Sequence, residues 1–229
     1  MRAWENRADT VVIDEPLYAY YLYRTGRQHP GRDAVLAAQS NDWREVVAAL
    51  QAPLPAGARI YYQKHMTHHV DASVALDWLA AMRNCFLIRR PRNMLASLLR
   101  VVPDAVLEDT GLPQQVRLFE YVCDRLEAVP AVIDSADVLR DPAGMMRALC
   151  AATGVDFSDS MLSWPAGQRD SDGVWAPHWY ASVEKSTGFE PWRPAEPEVP
   201  QDKIDVLAQC EPLYARMAAH SLQPVDGAD

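Results

Sequence analysis

The chain has 229 residues, 49% of them hydrophobic and 23% charged, and a formal net charge of −9. This composition excludes a disordered or collagen-like chain, and the acidic balance argues against general nucleic-acid binding, because phosphate backbones need a basic footprint. No window approaches the roughly eighteen continuous apolar residues of a membrane-spanning helix, so no membrane contact is expected. The N-terminus is charged and shows no signal peptide. The four cysteines (Cys85, Cys123, Cys150, Cys210) are scattered. They read as reduced core thiols of a cytoplasmic protein. The length suits one domain, residues 1–229.

Short apolar runs alternate with amphipathic stretches. Residues 10–13 predict a buried strand that ends at Asp14-Glu15-Pro16, where proline stops the ladder. Residues 32–51 predict one or two helices divided near Ser40-Asn41. Residues 59–64 predict a second strand, and 71–83 a helix with Val74, Leu76 and Leu79 inward. A third strand at 85–88 runs into a helix that has Pro91 at its first position. Residues 113–129 predict a helix and 131–133 a fourth strand. Asp141-Pro142 opens a helix that Gly154 ends. Residues 164–200 read as an irregular covering segment rich in Trp, Pro and Gly, and 201–220 as a closing helix bent at Pro212.

Strands alternating with helices indicate an α/β fold. The expected form is three-layer, with a mainly parallel sheet and helices on both faces. Ligands of such sheets sit beyond the carboxyl ends of the strands. Those ends here carry Asp14-Glu15, Lys64-His65, Arg89-Arg90 and Asp134-Ser135. The inner cationic ends suit an anion. Arg89 stands at a strand end, the next helix offers its free amides and positive dipole end, and Ser97 lies two turns into that helix. An Arg fork and a Ser hydroxyl can together hold a phosphate.

The Arg89-x7-Ser97 arrangement resembles the 3′-phosphate-binding motif of sulfotransferases, enzymes of P-loop kinase-like fold that use 3′-phosphoadenosine 5′-phosphosulfate (PAPS). Ser135-Ala136-Asp137-Val138-Leu139-Arg140-Asp141-Pro142 is similar to a strand-end pattern of that family. Met146 to Cys150 and Gly154-Val155-Asp156-Phe157 resemble the helix and turn that follow it. Val12 to Tyr18, with Lys64-x3-His68-His69, is similar to a bacterial sulfotransferase-like subgroup. The resemblance runs from Met1 to about Phe189 and implies sulfuryl transfer from PAPS, with no metal, to a hydroxyl or amine of a small-molecule acceptor. It assigns the 3′-phosphate to Arg89 and Ser97, charge neutralisation to Lys64 and the proton to Glu15. Lys185, in the covering segment, would reach a phosphate.

The family's first strand and Gly/Ser/Thr-rich phosphate loop have no counterpart. Residues 26–33 contain a proline, lack the Lys-Ser/Thr ending and follow no strand. The expectation is a start within a longer protein, or a degenerate relative acting as a nucleotide-binding or interaction module without catalysis. Asp14 is the alternative base, although adjacent strand residues face opposite ways. A histidine base two places after the lysine is disfavoured, because Met66 stands there and His65 is one place off, while His68 and His69 could approach from the next turn. A zinc site at His65, His68 and His69 lacks a matching partner ligand. Residues 17–35 and 100–115 read as variable acceptor loops without a legible code.

Overall fold

The structure is a computed structural model and describes residues 1–226. It is an α/β protein with parallel strands. The chain forms two compact units, residues 1–74 with 158–189 and residues 75–157 with 190 onward.

In the first unit, Arg2–Glu5 is a helical turn that leads into β1 (Thr10–Asp14). The strand pairs in parallel with β2 (Ile60–Lys64), in a register that sets Thr10 against Ile60 and Asp14 against Lys64. Parallel strands need a crossover, and helices Tyr18–Thr25, Arg32–Ala38 and Trp43–Leu50 supply it. The last is capped as its sequence suggests, with Asp42 accepting from the Arg44 amide. Residues 17–35 are therefore not simply a loop. Tyr18, Ala19, Tyr20, Tyr21 and Leu22 are all buried while Tyr23, Arg24 and Thr25 are exposed, so the first turn of helix Tyr18–Thr25 is buried on every side and leaves no 3.6-residue stripe for periodicity to reveal. Its core partners include Val35, Trp175, Ala176 and Tyr180. Within the covering segment, Ala176–Trp179 adds one helical turn, and a bridge joins Ser163 to Gly188.

In the second unit, β3 (Cys85–Ile88) pairs in parallel with β4 (Ala131–Asp134). The four strands thus form two ladders of two, not one ladder of four. The other edge of β4 is met by the chain end, where the Leu222 amide donates to the Val132 carbonyl at 2.8 Å. On β3, Phe86 and Ile88 are buried while Cys85 and Leu87 are exposed, Leu87 by 59%. Cys85 is therefore not a core thiol, and Cys123 is only half-buried, whereas Cys150 and Cys210 are buried; all four are free. Pro91 opens helix Pro91–Leu98 as expected. The crossover to β4 is helix Leu112–Leu126.

Beyond β4, two short helices follow. Asp134 caps Ser135–Arg140 and Asp141 caps Pro142–Thr153, each through a carboxylate that accepts a backbone amide. Gly154, at φ 70°, ends the second in the left-handed region that suits glycine. The helix expected over 71–83 is instead a turn followed by a 3₁₀ segment, Asp77–Ala81. The Asp71 carboxylate takes the Ser73 amide at 2.8 Å and the Ser73 hydroxyl at 2.6 Å, which holds the backbone in a turn. Helix Ile204–Ala218 carries Pro212 within it and lies against Leu112–Leu126, Pro91–Leu98 and β4. No helix among the described residues is long and apolar enough to cross a membrane.

Candidate functional site

The register of β1 and β2 builds the site of the first unit. Opposed residues of a parallel pair share a face, so pairing Asp14 with Lys64 brings their side chains together at the strand ends. Lys64 Nζ donates to Asp14 Oδ1 at 2.9 Å and to Glu15 Oε1 at 2.5 Å. Its third proton goes to the Tyr180 hydroxyl at 2.7 Å, and that hydroxyl donates to Asp14 Oδ2 at 2.5 Å. Both Asp14 oxygens are thereby taken. Glu15 Oε2 accepts no hydrogen bond among the described residues. One cation and two carboxylates leave the cluster a formal charge of −1.

The carboxylates are deep, with side chains 1% and 11% exposed for Asp14 and Glu15, against 27% for Lys64. Burial is the main cause that raises the Glu15 pKa above the usual carboxylate value; Asp14 adds to it and Lys64 works against it. Burial also penalises the Lys64 ammonium, but Glu15, Asp14 and Tyr180 outweigh it and hold its pKa above the usual lysine value. Burial likewise pushes the Tyr180 phenol upward.

Glu15 has a φ of 41°, in the left-handed region that non-glycine residues rarely adopt. Its neighbours fix it there. The Glu15 amide extends the ladder by donating to the Lys64 carbonyl at 2.9 Å. Its carbonyl accepts from the Tyr18 amide and from Gln39 Nε2, both at 3.1 Å. Gln39 Oε1 takes the Ala19 amide in turn. Strain of this kind survives where surrounding bonds over-determine it, and it clusters at functional sites.

The histidines lie in an aromatic cluster of the same unit. His69 is buried and stacks on Tyr18 at 4.7 Å; His68 meets Tyr21 edge-on at 5.0 Å and His69 at 4.5 Å. Burial lowers the pKa of His65 to about 4 and of His68 to about 3, and it lowers that of His69 well below the usual value. Among the described residues, no group of three His, Cys, Asp or Glu side chains is arranged to hold a metal ion.

In the second unit, Arg89 follows β3 and is exposed, and Ser97 sits half-buried on helix Pro91–Leu98. Among the described residues, Arg89 forms no ion pair; burial, then repulsion from Arg100, lowers its pKa. Lys185 occupies an exposed turn of the first unit. Residues 26–33 link two helices through Gly26 and Gly31, both at positive φ, and follow no strand. Sequence reasoning did not find Tyr180 or Gln39 as parts of the Glu15 site. Tyr180 stands 166 residues from Asp14; only its place in an aromatic-rich stretch marked it.

The sulfotransferase domain family model matches residues 1–221. Two Arabidopsis thaliana proteins are similar to the chain. Branched-chain-amino-acid aminotransferase-like protein 1 is 36% identical over 221 residues, and protein 2 is 33% identical over 220. Each match covers 96% of this chain but 39% of the relative, so the chain spans about two fifths of those proteins' length. Among solved structures, the sulfotransferase domain from the curacin biosynthetic pathway is matched over 92% of this chain and 74% of that one, at 15% identity and a TM-score of 0.37. Because the family model runs through both units from residue 1 to residue 221, the chain belongs to the sulfotransferase domain family.

Proposed function

We propose that this domain transfers a sulfuryl group from PAPS to a hydroxyl or amine of a small-molecule acceptor, with Glu15 as the general base. The observation that carries this reading is the asymmetry of the two carboxylates. Asp14 has both oxygens occupied, while Glu15 is held through Oε1 and keeps Oε2 open. A fixed, buried carboxylate whose pKa is raised above the usual carboxylate value is a stronger proton acceptor than an exposed one.

PAPS supplies the activated sulfuryl group. Glu15 removes the acceptor's proton as the acceptor atom bonds to sulfur, and the cluster's charge then rises from −1 to zero. Lys64, held beforehand by two carboxylates, becomes a less compensated cation when negative charge develops on the leaving phosphate. For the 3′-phosphate we choose Arg89 and Ser97 on the second unit, supported by a guanidinium that is repelled by Arg100 and has no ion-pair partner among the described residues. Lys185, exposed and on the first unit, is our choice for a further phosphate contact. We read residues 1–229 as one domain, on the support of a family model that runs through both units.

One observation favours a second reading. Lys64 already donates all three protons within the cluster, as suits a nucleotide-binding module without turnover. Transfer of labelled sulfate from PAPS to a panel of phenols and amines, read beside calorimetry with adenosine 3′,5′-bisphosphate, separates the two. Glu15→Gln is expected to lower turnover about 10²–10⁴-fold and leave nucleotide affinity unchanged. Near-normal turnover in the variant would remove Glu15 as base and turn attention to His68 and His69. Nucleotide binding with no turnover in the unaltered protein would establish the module.

A further inference from the structure

Lys64 has three protons and three acceptors, Tyr180 has one proton and gives it to Asp14, and Asp14 has two oxygens with a donor on each. Only Glu15 Oε2 stands outside this closed count. Tyr180 comes from the late segment of the unit, not from either strand. Its ring is buried in the cluster that contains Tyr18 and Trp175. Its backbone is held as well, with the Tyr180 amide donating to Ala176 and its carbonyl accepting from Glu184, both at 2.8 Å. The hydroxyl is therefore delivered to Asp14 by a rigid support.

We propose that Tyr180 is a positioning residue. Its hydroxyl fixes Asp14 as the permanent counter-ion of Lys64, and so keeps Glu15 singly bonded and able to accept the substrate's proton. The proposal rests on the reading of Glu15 as base, but its physical core is independent of turnover. Without the hydroxyl, Asp14 Oδ2 is a buried acceptor with no donor and Lys64 has a proton with no acceptor. Both deficits are met if Lys64 turns to hold Asp14 through both oxygens. Glu15 then loses its cation while staying buried, and it retains a proton to higher pH.

Tyr180→Phe keeps the ring and removes the hydroxyl. The carboxyl carbon of Glu15, followed by carbon-13 NMR from pH 3 to 9, reports the result in the whole chain. We expect its titration to move upward by about one pH unit, a tenfold change in proton affinity. Asp14→Asn removes a like charge that raises the Glu15 pKa, so its titration is expected to move downward. Adding Tyr180→Phe to Asp14→Asn should move Glu15 no further, because no carboxylate remains at residue 14 for the hydroxyl to fix. If Tyr180→Phe alone does not fold, a Glu15 titration that moves when Tyr180→Phe is added to Asp14→Asn still overturns the role.

A Glu15 titration unchanged by Tyr180→Phe, or an equal shift on the Asp14→Asn background, overturns the positioning role whatever the turnover. In a protein that transfers sulfate, the acidic limb of the pH–rate profile should move upward with the titration. A titration that moves while sulfate is never transferred defeats the proposed function and leaves the role of Tyr180 standing.

Discussion

Lys64→Met tests the charge balance of the strand-end cluster most directly. It preserves the length of the side chain and removes the one cation shared by Asp14 and Glu15. Removing one partner from a buried ion pair costs about 3–5 kcal/mol, because the other partner is left charged in a poor solvent. Lys64 is itself about a quarter exposed, so water partly replaces it, and the expected loss near pH 8 lies at the low end, about 3 kcal/mol. The loss should depend on pH in a known direction. Without Lys64, Glu15 loses the main influence that lowers its pKa, so its folded value rises further above the unfolded one of about 4.3. Between those values the folded state binds more protons than the unfolded state, and stability therefore increases as pH falls. One proton sets a limit of about 1.4 kcal/mol per pH unit, so Glu15 should narrow the gap to the unaltered protein by up to about 2.7 kcal/mol from pH 8 to 6, and the Met1 amine, whose pKa of about 6 is held down first by burial and then by Lys64, acts in the same direction. Lys64 is a lesser cause of the lowered pKa values of His68 and His69, but burial leads for both and keeps them neutral above pH 6. Urea unfolding at each pH measures the gap without the ionic screening that guanidinium chloride would add. A gap below about 1 kcal/mol at pH 8, or one that stays flat with pH, would refute the reasoning.

Two further outcomes are expected. Arg89→Ala should weaken adenosine 3′,5′-bisphosphate binding by about 2–4 kcal/mol in calorimetry, and unchanged affinity would remove Arg89 from the phosphate site. The histidines should make the fold acid-labile. The folded pKa values of His65 and His68 are about 4 and about 3, and that of His69 is also depressed, whereas the unfolded value is about 6.5. Their stabilising effect is full above pH 6.5 and is lost as pH falls from there toward 4, with a slope of up to about 1.4 kcal/mol per pH unit for each histidine. His69→Phe, which keeps the stack on Tyr18, should reduce the slope of urea stability between pH 6.5 and 5 by one proton's worth; an unchanged slope would exclude His69 as a contributor.

What could be read from the sequence depended on range. Apolar runs at 10–13, 60–63, 85–88 and 131–133 became strands, and their parallel pairing followed from the helices between them. The residues at strand ends were legible for the same reason: Asp14, Glu15 and Lys64 are placed by where their own strands stop. Helix Tyr18–Thr25 was hidden because its buried face goes most of the way round. The turn at Asp71 overrode the apolar spacing of 71–83 through local side-chain bonds. Gln39 bonds the Glu15 carbonyl, and Tyr180 bonds Lys64 and Asp14, from distant positions in the chain, and no local pattern encodes a partner that far away.

The positive φ of Glu15 bears on how this position would drift. A backbone held at 41° costs a non-glycine residue about 1–3 kcal/mol, most of which glycine would recover. Glycine there would also relieve the burial of a second carboxylate beside Asp14. Selection for stability alone therefore pushes residue 15 toward the one side chain that can do no chemistry, while the ring, lysine and strand around it stay intact. On the proposed reading of Glu15 as base, a copy of this domain released from that reaction would be expected to lose Glu15 early and keep its fold.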